Sequence, residues 1–180
     1  YDNATGNQTQ KVAWGEVAAA DDGTFTDTGT DKFTTDIAYA AGPSGVVGKP
    51  SVVTVTDQSG TKIKENRSYY DNQSLGVTTV GNLTKEEHWK SGSSYVNTQN
   101  TYNSYGLVTQ SLDLRGKPTN YIYDGNNLYP ATVTNALNHA TQYQYDYASG
   151  KKTQVIDANS NTFKTVYDGL GRPLSALQPD

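Results

Sequence analysis

The sequence predicts an all-β fold, in which repeated antiparallel β-hairpins of about 22 residues form a strip of curved sheet. The first observation behind this is composition. The 180 residues include 14 tyrosines, with abundant threonine and valine, and such side chains fit a pleated, half-buried surface. The second is a recurrence: Tyr102-Asn103, Tyr123-Asp124, Tyr145-Asp146 and Tyr167-Asp168 follow one another at 21, 22 and 22 residues, and Tyr70-Asp71 has the same form upstream. A second series, Asp113, Asn135, Asp157 and Asp180, keeps step at 22, 22 and 23 residues. The third is alternation inside one period. In "TQYQYD", Thr141, Tyr143 and Tyr145 alternate with Gln142, Gln144 and Asp146, which places the aromatic residues on one face of a strand.

Taken from the N-terminus, "YDNATGNQT" (Tyr1 to Thr9) reads as a Tyr-Asp turn. The alanine run Val17 to Ala20 leads straight into Asp21-Asp22-Gly23, a turn signal, and long helical stretches are hard to find. "AGPSGVVGKPS", Ala41 to Ser51, reads as a turn and connection. "VTVTDQSGTKIKENRSYYD", Val53 to Asp71, carries an Asp-x-x-Gly-Thr link to a Tyr-Tyr-Asp end. The interval from Tyr70 to Tyr102 is 32 residues, which predicts insertions in longer hairpins; a discrete N-terminal domain is the alternative reading of the irregular part. Residues 1–61 are therefore read as looser β repeats and 62–180 as the regular array. In that array "TQYQYD" is a strand, Tyr147 to Gly150 a turn, "KKTQVID" (Lys151 to Asp157) the return strand, and "ANSN" the turn into "TFKTVYDGLGRPLSALQPD". One hairpin is marginal alone, whereas stacked neighbours bury one another's faces.

The paired residues have separate tasks in such a hairpin. A tyrosine at a strand end offers a ring for burial and a hydroxyl that still reaches water or a turn carbonyl. The following aspartate can accept a hydrogen bond from the backbone N–H two residues on and so fix an Asx turn, a task that Asn103 performs equally well. Gly106, Gly116, Gly150 and Gly171, with Arg172, complete the turn frame.

Composition excludes several classes of function. Hydrophobic residues are 34% and mean hydropathy is -0.71, yet charged residues are only 18% and net charge is -4, so self-repulsion is too weak to dictate disorder. Without cysteine there are no disulfides, thiolate metal sites or cysteine nucleophiles. A pI near 5.1 argues against broad electrostatic binding to nucleic acid, and no apolar run is long enough to span a bilayer as a helix. The start at Tyr1, with no signal peptide, reads as a fragment or processed product.

At these residues the sequence resembles the Rhs, or YD-repeat, family, whose loose repeat runs Tyr-x-Tyr-Asp-x-x-Gly-Arg-Leu, then a strand, then Asp-x-x-Gly and Thr. "VYDGLGRPLSALQPD", Val166 to Asp180, is the nearest match, and "SLDLRGKPTNYIYD", Ser111 to Asp124, supplies the linking half. The family includes polymorphic toxins, the B and C components of insecticidal toxin complexes, wall-associated proteins and teneurins. The resemblance implies a wound strip of β-sheet forming a hollow shell around a toxic C-terminal domain. It covers Asn100 to Asp180 best and extends to Lys62. Asn135-Ala136-Leu137-Asn138 stands where the family has Asp-x-x-Gly, and "DGNNLYP", Asp124 to Pro130, replaces Gly-Arg-Leu; both keep turn-forming residues.

Chemical sites compare poorly with these structural roles. "DANSN", Asp157 to Asn161, opens like a calcium loop but lacks the following glycine and the distant bidentate glutamate, and "DDGTFTDTGTD", Asp21 to Asp31, reads as a solvated loop. His88 and His139 have no ligand spacing, and no Gly-x-Ser-x-Gly elbow occurs. Trp14 and Trp89 read as buried aromatics, with sugar stacking as the alternative. Asn-x-Ser/Thr sequons at Asn3, Asn7, Asn66, Asn72 and Asn82 are expected from composition alone. The expectation is thus a non-enzymatic structural segment, without cofactor or metal, of a secreted or cell-surface bacterial protein. Its partners would be a toxin or cargo domain of the same polypeptide or complex, or neighbouring repeat subunits. The other readings are an adhesin or carbohydrate-binding module and a self-assembling fibre subunit, since an open strip has two unprotected edges.

Overall fold

A computed structural model describes residues 1–178; Asp180, the last member of the second series, lies outside them. The protein is all-β, built of antiparallel hairpins in open sheet, and no helix occurs among the described residues. The chain divides between Gln99 and Asn100 into two compact units.

In the first unit, β1 (Gln10–Ala13) pairs with β4 (Phe33–Tyr39), and β5 (Pro50–Thr56), β6 (Lys62–Tyr70), β7 (Leu83–Ser91) and β8 (Ser94–Tyr102, whose residues from Asn100 belong to the second unit) follow in chain order. The excursion between β1 and β4 forms a separate two-stranded sheet of β2 (Val17–Ala19) and β3 (Phe25–Asp27) around the Asp21-Asp22-Gly23 turn. The long interval between Tyr70 and Tyr102 has two sources. Residues 71–82 make an extended connection between β6 and β7, and β7 and β8 are nine residues each, longer than any strand of the second unit. Ala40, Ser51, Glu65, Tyr70, Thr78 and Thr84 are buried in this unit.

In the second unit, β9 (Val108–Leu112), β10 (Pro118–Tyr123), β11 (Pro130–Thr134), β12 (Ala140–Asp146), β13 (Lys151–Ile156), β14 (Thr162–Tyr167) and β15 (Pro173–Leu177) lie in strict chain order, each antiparallel to the last. Its sheet is a single layer: among its described residues none is buried, and packing is between neighbours within a face. Tyr121 faces Val133, and Tyr143 faces Val155, which in turn faces Phe163, giving cross-strand apolar pairs on one side. Gln110–Asn120 and Gln144–Gln154–Lys164 form rows on the other.

The register slips at a recurring place. A bulge separates Ala38 from Tyr39, Tyr69 from Tyr70, Ile122 from Tyr123, Gln144 from Tyr145 and Val166 from Tyr167. Each tyrosine is the last residue of an even-numbered strand or, for Tyr145, the last but one, so these bulges lie at one end of the hairpins only. In three of the five the residue opposite is a proline: Pro50, Pro130 or Pro173. Proline lacks the ladder donor and suits a strand's first residue or a bulge, where no N–H is required.

Candidate functional site

The recurring Asx residues build one turn, repeated. At Asp57, Asn103, Asp113, Asp124, Asn135, Asp157 and Asp168 the side-chain Oδ1 accepts N–H bonds from the second and fourth residues onward, at 2.8–3.1 Å. The backbone carbonyl of the same residue accepts the N–H of the third residue onward. That third residue takes a left-handed conformation: Gly60, Gly106, Gly116, Asn127, Asn138, Ser160 and Gly171 have φ of 81, 76, 71, 52, 62, 67 and 76°. Asn138 and Asn127 thereby fill the place of glycine in the two stretches that depart from the family pattern. Asparagine tolerates this region better than most residues.

Asp146 makes a variant with one more residue. Its Oδ1 accepts the Ala148 N–H at 3.2 Å, its Oδ2 the Ser149 hydroxyl at 2.6 Å, and its carbonyl the Gly150 N–H at 2.8 Å. Asp2 repeats each bond with Ala4, the Thr5 hydroxyl and Gly6. The sequences explain the match, since Tyr1-Asp2-Asn3-Ala4-Thr5-Gly6 and Tyr145-Asp146-Tyr147-Ala148-Ser149-Gly150 share Tyr-Asp-x-Ala-(Ser/Thr)-Gly. From Asn103 onward the turn residues are 103, 113, 124, 135, 146, 157 and 168, steps of 10 and then 11. The two series seen in the sequence are therefore the two ends of one hairpin, closed by the same device.

What distinguishes the ends is the tyrosine. Tyr123 donates its hydroxyl to the Val108 carbonyl at 3.1 Å, Tyr145 to Pro130 at 3.2 Å and Tyr167 to Lys152 at 3.2 Å, each fifteen residues back at the start of the preceding strand. Tyr70 makes the same bond to Pro50 at 2.8 Å, and Tyr39 to Gln8 at 2.8 Å. Each tyrosine beside a bulge thus ties its strand end to a neighbouring backbone carbonyl. Tyr102 ends β8, half-buried, in the corresponding position. Around Tyr145 the aromatics gather: Tyr129 stacks on it with ring centroids 4.5 Å apart, and Tyr147 donates to Asp124 Oδ2 at 2.9 Å. Lys151 reaches the Gly171 carbonyl, and Arg172 pairs with Asp168 at 2.7 Å.

Asp71 does something different from the other aspartates. Its two oxygens accept the N–H groups of Thr79, Val80, Gly81 and Asn82 and the Thr78 hydroxyl, all at 2.8–2.9 Å. Burial alone would raise its pKa; the four backbone donors override this and hold the carboxyl far below the usual carboxylate range. The 71–82 connection is then pinned to the loop after β4 through Thr78 N–H to Ala41 O and Ala41 N–H to Gly76 O. Gly42 lies where a Cβ would fall 2.7 Å from the Thr78 methyl.

A second network spans β6, β7 and β8 and has no counterpart in the repeat frame. Glu65, 8% exposed, accepts from the Tyr95 hydroxyl, Lys62 Nζ (3.1 Å) and Arg67 Nε (2.9 Å). Burial would push its pKa up, but Tyr95 and Lys62, with the Arg67 charge, lower it. Glu87 accepts from Lys85 and Tyr69, both at 2.9 Å, and Arg67 and Lys85 lie over the Tyr95 and Tyr69 rings. Trp89 donates to the Gly92 carbonyl at 2.9 Å beneath Lys62, and Trp14 packs edge-on against Phe25 beneath Lys32. His88 meets Asn66 and Glu86, and His139 is exposed in the Asn135 turn. Asp22 is spent on Thr24, and Asp31 on the Glu16 N–H. No group of three or more His, Cys, Asp or Glu residues suited to a metal ion occurs among the described residues.

Sequence reasoning missed Tyr39, because Ala40 rather than Asp follows it. The available signal was the alternating run before it. It also missed the Glu65 and Glu87 networks, which need the register to bring Arg67 opposite Glu87 and Tyr69 opposite Lys85.

No family model and no curated protein matches the chain. Solved structures do match. The TcdB2-TccC3-Cdc42 structure superposes with a TM-score of 0.66 at 11% identity, covering 81% of this chain and 11% of that one. TcdB2-TccC3 gives 0.65 at 12% identity with the same coverage, and the Tc holotoxin pore of Photorhabdus luminescens 0.61 at 12%, covering 81% of this chain and 10% of that one. The protein thus shares its antiparallel hairpin fold with chains of toxin complexes and spans about a tenth of their length.

Proposed function

We propose that this chain is a wall segment of an Rhs/YD-repeat protein, secreted or surface-exposed and bacterial, that contributes β-sheet to a shell enclosing a toxin or other cargo. The observation that carries the proposal is the single Asx turn closing hairpin after hairpin. Every aspartate of the Tyr-Asp motifs spends its carboxylate on its own turn or loop, and Tyr70, Tyr123, Tyr145 and Tyr167 spend their hydroxyls on neighbouring backbone. On this reading the motif performs no catalysis and requires no cofactor. The fold shared with TcdB2-TccC3 supports the same assignment.

The test is electron microscopy of the full-length gene product. A closed wall with internal density, and a C-terminal segment resistant to protease until the wall is opened, is the expected outcome. An open fibre or a solid rod with no enclosed segment sinks the proposal.

A further inference from the structure

The tyrosines beside the bulges donate their hydroxyls to backbone carbonyls, whereas Tyr69, Tyr95 and Tyr147 donate to carboxylates, those of Glu87, Glu65 and Asp124. The difference matters for oxidation. A peptide carbonyl does not take up a proton at neutral pH, but a carboxylate does. A phenol bonded to a carboxylate can lose an electron while its proton crosses to the acceptor, which avoids a strongly acidic radical cation.

Tyr69 and Tyr95 are poorly placed for such a loss. Lys85 Nζ stands 3.7 Å from the centroid of the Tyr69 ring and Arg67 Cζ 4.2 Å from that of Tyr95, and a cation over a ring opposes positive charge developing in it. Among the described residues no lysine or arginine lies over the Tyr147 or Tyr129 ring. Asp124 holds its turn with Oδ1, which accepts the Asn126 and Leu128 N–H groups, and turns Oδ2 to the Tyr147 hydroxyl at 2.9 Å. That bond raises the Tyr147 pKa, so the hydroxyl keeps its proton at neutral pH and proton and electron leave together.

A second ring lies beside the first. Tyr129 is 6.0 Å from Tyr147, centroid to centroid, tilted by 45°, and it stacks on Tyr145 at 4.5 Å. Tyr145 gives its hydroxyl to the Pro130 carbonyl, which cannot take the proton. The cluster continues to Tyr143, 6.4 Å from Tyr145, where Lys152 Nζ lies 4.3 Å over the ring. The ammonium at one end and the carboxylate at the other draw the electron vacancy toward Tyr147 and Tyr129.

We propose that Tyr147 is a site of one-electron oxidation and couples to Tyr129, forming a dityrosine cross-link between the turn after β10 and the turn after β12. The oxidant is a haem peroxidase intermediate generated by hydrogen peroxide. Each tyrosine loses one electron and its hydroxyl proton, the Tyr147 proton passing first to Asp124. The two radicals join through ring carbons ortho to the hydroxyls, and each of those carbons passes its hydrogen to its ring's oxygen, restoring both phenols. In sum two hydrogen atoms leave the protein and one hydrogen peroxide becomes two waters. The proposal does not rest on the shell assignment, because it needs only two turns of the second unit.

The experiment treats the 180-residue chain with a haem peroxidase and equimolar hydrogen peroxide at neutral pH, then reads intact mass, dityrosine fluorescence and a fragment map. Exposure alone ranks Tyr1 and Tyr105, 81% and 71% exposed, above Tyr147 at 53%, so the map discriminates between exposure and local electrostatics. A monomer lighter by two hydrogens, with Tyr129 joined to Tyr147 in a yield independent of protein concentration, is expected. Tyr147→Phe should abolish the link. Asp124→Asn should slow it about tenfold or more at unchanged melting temperature, since Asn103 and Asn135 hold the same turn. Should that variant fold poorly, the wild-type map decides alone. Links formed first at Tyr1 or Tyr105, links only between chains, or a rate unchanged in folded Asp124→Asn overturn the proposal.

Discussion

Tyr145 shows how much one residue of the repeat does. Its ring stacks on Tyr129, its hydroxyl ties β12 to the Pro130 carbonyl, and its backbone sits at a bulge. Removing only the hydroxyl, in Tyr145→Phe, should lower stability by ~1 kcal/mol, whereas Tyr145→Ala also removes the ring and should lower it by ~3 kcal/mol. Urea unfolding separates the two, and equal losses would refute the division between ring and hydroxyl. Ser160 tests the turn from the opposite direction. It is an exposed, non-glycine residue at φ 67°, so Ser160→Gly should raise stability by ~0.5–1 kcal/mol, the relieved left-handed strain exceeding the added freedom of the unfolded chain. Gly150→Ala should do the reverse, at φ 70° and with the new Cβ 2.8 Å from the Tyr129 hydroxyl.

At the scale of the element, a hairpin end is legible in sequence when its bonds are local. The Asx bonds at Asp113 or Asp168 reach only two and four residues, so residue type and spacing disclose them. The connection 71–82 is not legible in that way. Tyr70-Asp71 looks like every other Tyr-Asp pair, yet Asp71 bonds amides eight to eleven residues away and leaves its own φ at 54°. Backbone donors carry no residue signature, so nothing in the letters after Asp71 announces them. Asp71→Ala would release four amides and should lower stability by at least ~2 kcal/mol, with hydrogen exchange rising first at Thr79 to Asn82. Unchanged exchange there would exclude Asp71 as the anchor of the connection.

For the whole molecule, the same carboxylates set the response to acid. Hydrogen bonds hold the pKa values of the turn aspartates below normal, led by the Lys117 amide at Asp113, the Arg172 amide at Asp168, the Ser59 hydroxyl at Asp57 and the Ser149 hydroxyl at Asp146. A depressed folded pKa stabilises above the unfolded value near 4 and is lost as pH falls through the folded one. The melting temperature should therefore hold through neutral pH and drop below about pH 4. Burial raises Tyr70 and Tyr145, so a second loss should follow as pH rises past about 10, where unfolded tyrosine ionises first. A profile flat from pH 4 to 2 would contradict the turn bonding. The all-β class and the hairpin order were readable from period and alternation, but the single-layered second unit was not, because half-burial on both faces leaves the same pattern in the letters as one covered face. The shared turn also has a genetic consequence. Because both hairpin ends use one module while only alternate ends carry the tyrosine, an array gaining or losing a single module inverts the polarity of everything downstream. Recombination within the gene should therefore leave even numbers of modules, and parity, more than length, is what selection on such arrays would count.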